Sequence, residues 1–176
     1  MVFGFKSRPK PPAELTAVLR PDEEVLALAQ DAGGNCLAAT RYGVWKVHVG
    51  KDPYLFNWSA ISKAKWQPPI LQIVIADVVG QIGGADLIVD RVPMNIEISD
   101  STKLTDIIHN RTRAGIVSSE HHELPGGGGA WLVVRRVPGQ DGVAVQVRLD
   151  PGTDPDVAAE QLPDLIAAAK ASFSSD

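Results

Sequence analysis

One change of period governs what this chain can fold into. Up to Ile98 the apolar residues alternate, and beyond Ser101 they recur at helical spacing. In "MNIEIS" Met94, Ile96 and Ile98 share a face, the two-residue repeat of a half-buried strand. In "SDSTKLTDIIHNRTRAGIV" Leu104, Ile107 and Ile108 stand at i, i+3 and i+4, and Ile116 falls on the same face. That spacing predicts one amphipathic helix of about 12–16 residues. Asp100 or Ser101 can cap its N-terminus, and Arg111 and Arg113 suit its carbonyl end.

Upstream of the switch, turn signals recur at short intervals. A short helix is predicted across "AELTAVL", ended by "RPDE". "EEVLALAQD" then alternates, "DAGGN" turns, and "CLAATRYGVWKVHV" reads as two strands meeting at "RYG". Trp45, Val47 and Val49 fall on one face of the second strand. "LFNWSAI" is the next strand, after "KDPY". The double proline in "SKAKWQPPILQIVIA" argues against one uninterrupted strand, because proline cannot donate to a ladder. "LIVDRV" and "MNIEIS" complete a set of about seven strands, the pattern of a barrel or sandwich.

Beyond the helix the strand period returns. "SEHHEL" is expected to pair with "AWLVVRRV" across "PGGGG", with "VAVQVRL" following. "DPGTDPDVAAEQLPDLIAAAKASF" reads as a second helix, capped by Asp154 with Pro155 in its first position. Leu162, Leu165, Ile166, Ala169 and Phe173 form its apolar stripe, and Pro163 should kink or restart it.

Short antiparallel strands closed by one amphipathic helix follow the order of the pleckstrin-homology superfold. The residues also resemble a family of uncharacterised actinobacterial proteins with a bacterial pleckstrin-homology-like (PH-like) domain. The resemblance lies in "PDEEVLALAQDAGGNCLAATRYGVWKV", "LFNWSAISKAKW" and "LTDIIHNRTRAGIVSS". Thr40, Arg41 and Gly43 match the family's turn after its second strand, Trp58, Ile61 and Trp66 its tryptophan motif, and Arg111 to Val117 its helix. The expected fold is therefore α+β, mainly β: a seven-stranded antiparallel PH-like barrel or sandwich closed by the helix, with an appended β-hairpin and C-terminal helix. The expected division is a flexible basic arm at 1–12, a PH-like domain at 13–117, a hairpin and helix at 118–173 and a disordered tail at 174–176. The resemblance implies a non-enzymatic domain that binds a protein partner or self-associates.

Composition narrows the functional classes. A net charge of -4 argues against nucleic acid, whose phosphates require a basic face. The single cysteine, Cys36, excludes an intramolecular disulfide and a cysteine-based zinc cluster, and its apolar neighbours mark it as a small buried hydrophobe. Neither a signal peptide nor a membrane span of ~18 apolar residues is legible, so a cytoplasmic location is expected, peripheral to the inner membrane face at most. The loop "DAGGN", where eukaryotic PH domains that hold phosphoinositides carry basic residues, has Asp31 and no cation, so no phosphoinositide site is expected.

The stretch "SSEHHELPGGGGAWLVVRRVPG" looks most like chemistry. Strand alternation, however, sends His121 and His122 to opposite faces, so neither a metal site nor any cofactor is expected. The glycines precede a strand, where a phosphate loop would need a helix, and read as a flexible hairpin tip. Arg135 and Arg136 also diverge, one towards solvent and the other towards a carboxylate. No catalytic residue is assigned. The alternative to a protein-interaction module is a weak membrane-surface or small-ligand binder, using Phe3, Phe5, Lys6, Arg8 and Lys10 of the arm and a pocket between barrel and extension. A metalloprotein or enzyme is the third reading.

Overall fold

The computed structural model describes residues 10–31, 33–98, 102–137 and 141–173. The fold is α+β, mainly β, with a strongly curled sheet forming a half-barrel and three helices. Helix α1 (Ala13–Val18) leads into an antiparallel meander of β1 (Ala27–Gln30), β2 (Cys36–Ala39), β3 (Gly43–Val47) and β4 (Tyr54–Asn57). Both faces of this meander are covered. Leu37, Ala39, Val44 and Phe56 point into the main core, while Cys36, Ala38, Trp45 and Val47 pack beneath Leu15 of α1. Burial pushes the Cys36 thiol up to about 11, with Asp31 and Glu14 adding to the shift.

The strand predicted at "LFNWSAI" is cut short, because Trp58–Ala60 forms a 3₁₀ turn. Strand β5 (Ile61–Gln67) follows, and Pro68 and Pro69 make the turn into the long β6 (Ile70–Ile82). Strands β7 (Ala85–Asp90) and β8 (Met94–Glu97) both pair with β6, β8 along its first part and β7 along its second. The additional strand relative to the sequence expectation is β5, which the double proline ends without preventing. Helix α2 (Thr102–Ala114) closes the main core with Leu104 and Ile108, both 0% exposed. Asp100 and Ser101, its expected caps, lie outside the described residues. Ile116 does not complete the helical face. The helix stops at Ala114, and Ile116 opens β9 (Ile116–Glu123), because the Gly115 carbonyl is taken by the Arg136 amide of the neighbouring strand.

Strand β9 pairs with β10 (Gly129–Arg135), and β10 with β11 (Ala144–Leu149). Strand β11 then lies parallel to β7, so the expected hairpin extends the same sheet in the order β5-β6-β7-β11-β10-β9. Helix α3 (Pro155–Phe173) covers one face of this part. Ala158, Leu162 and Ile166 meet Ile82, Ala85, Leu132, Val134, Val145 and Val147 in a second core. The Asp156 amide donates to Asp154 Oδ1 at 2.9 Å, which is the expected cap. Helix α3 continues through Pro163 without restarting. Gly83 turns at φ 54° beside it, and a Cβ there would stand 2.9 Å from the Pro163 Cα, so the β6–β7 turn reaches the helix only as glycine.

The residues that carry the family resemblance are spent on packing. Glu23 is buried and accepts from Thr40 Oγ1 at 2.5 Å and Trp45 Nε1 at 2.8 Å. Trp58 Nε1 donates to the carbonyls of Thr40 and Arg41, each at 3.2 Å. Gly43 is required by close approach, since a Cβ there would lie 2.1 Å from the Phe56 carbonyl oxygen. Ile61 is fully buried, and Trp66 is half-buried against the same core.

The two cores are joined by polar groups aimed at one turn. Arg135, 4% exposed, donates from Nη1 to the Trp58 carbonyl and from Nη2 to that of Ile61, each at 3.4 Å. Gln146 Nε2 donates to the Ser59 carbonyl at 3.0 Å. Arg135 therefore meets carbonyls and not the carboxylate expected for one of the arginine pair, while Arg136 is exposed. Burial lowers the pKa of Arg135 below its ordinary value, and the nearby Arg148 adds to the effect. Arg135→Ala should cost about 2–4 kcal/mol, combining a cavity with the loss of a donor to two buried carbonyls. Arg135→Met, which keeps the stem's volume, should recover much of that loss in urea denaturation. Equal losses in the two variants would contradict a packing role for the stem.

Candidate interaction surface

The β9–β10 hairpin is closed by the Leu124 amide donating to the Gly128 carbonyl at 3.2 Å and the Gly127 amide to Leu124 at 3.3 Å. Gly126, Gly127 and Gly128 all have positive φ, as a tight turn requires. Its base is anchored more firmly than a loose tip would be. Thr153 Oγ1 donates to the Gly129 carbonyl at 2.9 Å and accepts from its amide at 3.0 Å. The glycine next to the anchor is thus hemmed in, because a Cβ on Gly128 would fall 2.4 Å from Thr153 Oγ1.

His121 and His122 diverge as alternation requires. His121 Nε2 lies 2.7 Å from Asp150 Oδ2, and its ring centroid is 5.2 Å from that of Trp131. His122 is on the α3 side, where its Nε2 stands 4.0 Å from Glu120 Oε2. Among the described residues no group of three or more His, Cys, Asp or Glu side chains is placed to hold a metal. Trp131 is 41% exposed, unlike the buried Trp45 and Trp58. Across that face Arg148 Nη2 pairs with Asp90 Oδ1 at 2.8 Å.

The free feature of this region is its backbone. Among the described residues strand β9 ends the sheet and pairs only with β10. Leu124 directs its amide to β10, so by the alternation of antiparallel ladders His122, Glu120 and Ser118 do the same. The Gly129 carbonyl, which accepts from Asp150 at 2.9 Å on the opposite side, gives the same phase. Ser119, His121 and Glu123 therefore turn their N–H and C=O groups outward. Alongside runs a groove of about 260 Å³ between Ser118, Glu120 and His122 of β9 and Leu165, Ala169 and Phe173 of α3. Leu165 and Phe173, expected in the buried stripe, are 36% and 38% exposed beside this groove, while Leu162 and Ile166 are buried.

Other features named from the sequence lie elsewhere. Phe3, Phe5, Lys6 and Arg8 fall outside the described residues, and Lys10 is exposed. In the β1–β2 loop Asp31 Oδ1 accepts from the amides of Gly33 and Asn35 at 2.8 and 2.9 Å, and Asn35 Nδ2 donates to Oδ2 at 2.8 Å. Those bonds, the Asn35 side chain's first, hold its carboxyl below the ordinary range. The loop amides a phosphate would need are already used by an acid. A cleft of about 600 Å³ between the cores is lined by Trp58, Arg111, Arg136, Asp141, Val143 and Phe173. Among the described residues no helix is long and apolar enough to cross a membrane.

Sequence reasoning missed Arg135, Gln146 and Thr153 as buried polar residues, and the outward phase of β9. The alternation of β9 could have yielded the phase only with the hairpin's hydrogen-bond register in hand. Comparison of the chain with protein-family models, with curated proteins and with solved structures finds no match.

Thr153→Val should cost about 1–3 kcal/mol, because it strips the buried Gly129 amide of its partner and the Gly129 carbonyl of one of its two donors. Amide exchange at Gly129 should accelerate with it, and unchanged exchange there would refute the anchor.

Proposed function

We propose that this chain is a non-catalytic, PH-like protein-interaction module of the cytoplasm that receives a partner by strand addition on β9. The carrying observation is the free β9 edge, with outward amides at Ser119, His121 and Glu123 beside an apolar groove. An added strand gains main-chain hydrogen bonds from the edge and side-chain contacts from the groove. The contrast with β5, which also ends the sheet, supports the choice. Strand β5 carries Lys63 and Lys65, the residues that commonly blunt an edge, whereas β9 has no lysine along its eight residues.

Small-ligand binding has the inter-core cleft in its favour, with Arg111 and Arg136 on its wall. Asp141 and the carbonyl end of α2 oppose an anion there, so the edge is the stronger site.

Ser119→Pro separates the edge from the fold. The substitution removes an outward N–H that no strand among the described residues uses, so the melting curve should stay close to the original. Affinity capture from a cell extract should then lose the proteins recovered with the unaltered chain. Equal recovery by both would overturn strand addition at β9.

A further inference from the structure

The outward groups of β9 sit on alternate residues, which restricts how a second copy could pair with it. Only Ser119, His121 and Glu123, with Val117 next in the series, can exchange bonds with the same set on another chain. The usable edge is bounded by the register shift near Ile116 on one side and by Pro125, which has no N–H, on the other. Its midpoint is His121.

Charge and ladder length then distinguish the antiparallel two-fold registers. Centring the axis on Glu120 sets two glutamates face to face. Centring it on His122 sets His121 against Glu123 twice, but it puts Pro125, which has no N–H, opposite Ser119 and so keeps fewer main-chain bonds than a centre on His121. Centring it on His121 places Glu120 of each copy opposite His122 of the other. Since Glu120 and His122 of one chain already stand 4.0 Å apart, the four groups would form a ring of alternating character on the α3 side. On the other face Ser119 would oppose Glu123, and the two His121 rings would meet, each held to its own Asp150 at 2.7 Å.

We infer that the partner of the β9 edge is a second copy of this chain, paired antiparallel about His121. The inference rests on the edge-binding reading above and names its occupant. The interface is isologous: the same patch serves both copies, and His121–His121 and the two Ser119–Glu123 pairs each exchange main-chain hydrogen bonds. On the α3 side the partner covers the groove beside Leu165 and Phe173, the large apolar side chains that α3 leaves exposed. Continuing the sheet also removes its unguarded end.

Sedimentation equilibrium of the purified full chain over a concentration series tests this. The unaltered chain should populate a dimer, and Ser119→Pro should be a monomer at every concentration reached. His122→Glu, which sets Glu against Glu120 twice, should weaken the dimer by about tenfold or more. Adding Glu120→Lys to it sets opposite charges across the axis and should recover most of that affinity. A monomeric unaltered chain would overturn the inference, as would a dimer indifferent to Ser119→Pro or a charge swap that restores nothing. A monomer whose captured partners are still lost with Ser119→Pro would transfer the edge to a different protein, leaving the function proposed above intact. A monomer whose captured proteins survive Ser119→Pro would remove both readings.

Discussion

The architecture depends on β6 serving two cores at once. Leu71, Ile73 and Ile75 of its first part lie in the main core, and Ile82 near its end lies in the second. Strict alternation would send odd and even positions to opposite faces. A register shift between Val78 and Gly80, against β7, inserts one residue and brings Ile82 back to the side of the earlier set. The bulge therefore lets a single strand pack first under α2 and then under α3. Because the strand is continuous, the two cores cannot be separated without breaking its ladders.

Polar chemistry follows the same joint. Arg135 and Gln146 leave the second part of the sheet to satisfy the carbonyls of the 3₁₀ turn at Trp58, Ser59 and Ile61. The Trp58 carbonyl already accepts the turn's own bond from the Ile61 amide, and the side chains add donors to carbonyls that burial would make costly to leave short of partners. Glu23 performs the matching service for Thr40 and Trp45, and Thr153 for Gly129. These groups would look like site residues by type alone. Their hydrogen bonds show that they are spent on the backbone and on indole or hydroxyl donors, which removes them from the functional candidates.

What was legible in the sequence was local. The period switch located α2, the Asp154-Pro155 pair located the start of α3, and alternation separated His121 from His122. The illegible part was pairing at a distance. Nothing near "LIVDRV" announces that β7 will lie parallel to β11, which joins the segment after the helix to the sheet before it. Arg135 shows why local rules fail at such a joint. Beside Arg136 it reads as one of two surface cations, yet the Val134/Arg135 register shift and the strand's inner face carry it into a site with no carboxylate among its hydrogen-bond partners. Its neighbour one residue on remains exposed.

The same distinction separates side-chain chemistry from main-chain capacity in the β9–β10 hairpin. "SSEHHELPGGGG" carries residue types associated with metals and phosphates. In the fold His121 is engaged by Asp150 and packed near Trp131, and the glycines serve the turn and Thr153. The unspent capacity lies in main-chain amides and carbonyls, which every residue possesses and no residue type reveals. What sets β9 apart is what it lacks, a guarding lysine or an interior proline, and which of its residues its own hairpin leaves facing outward.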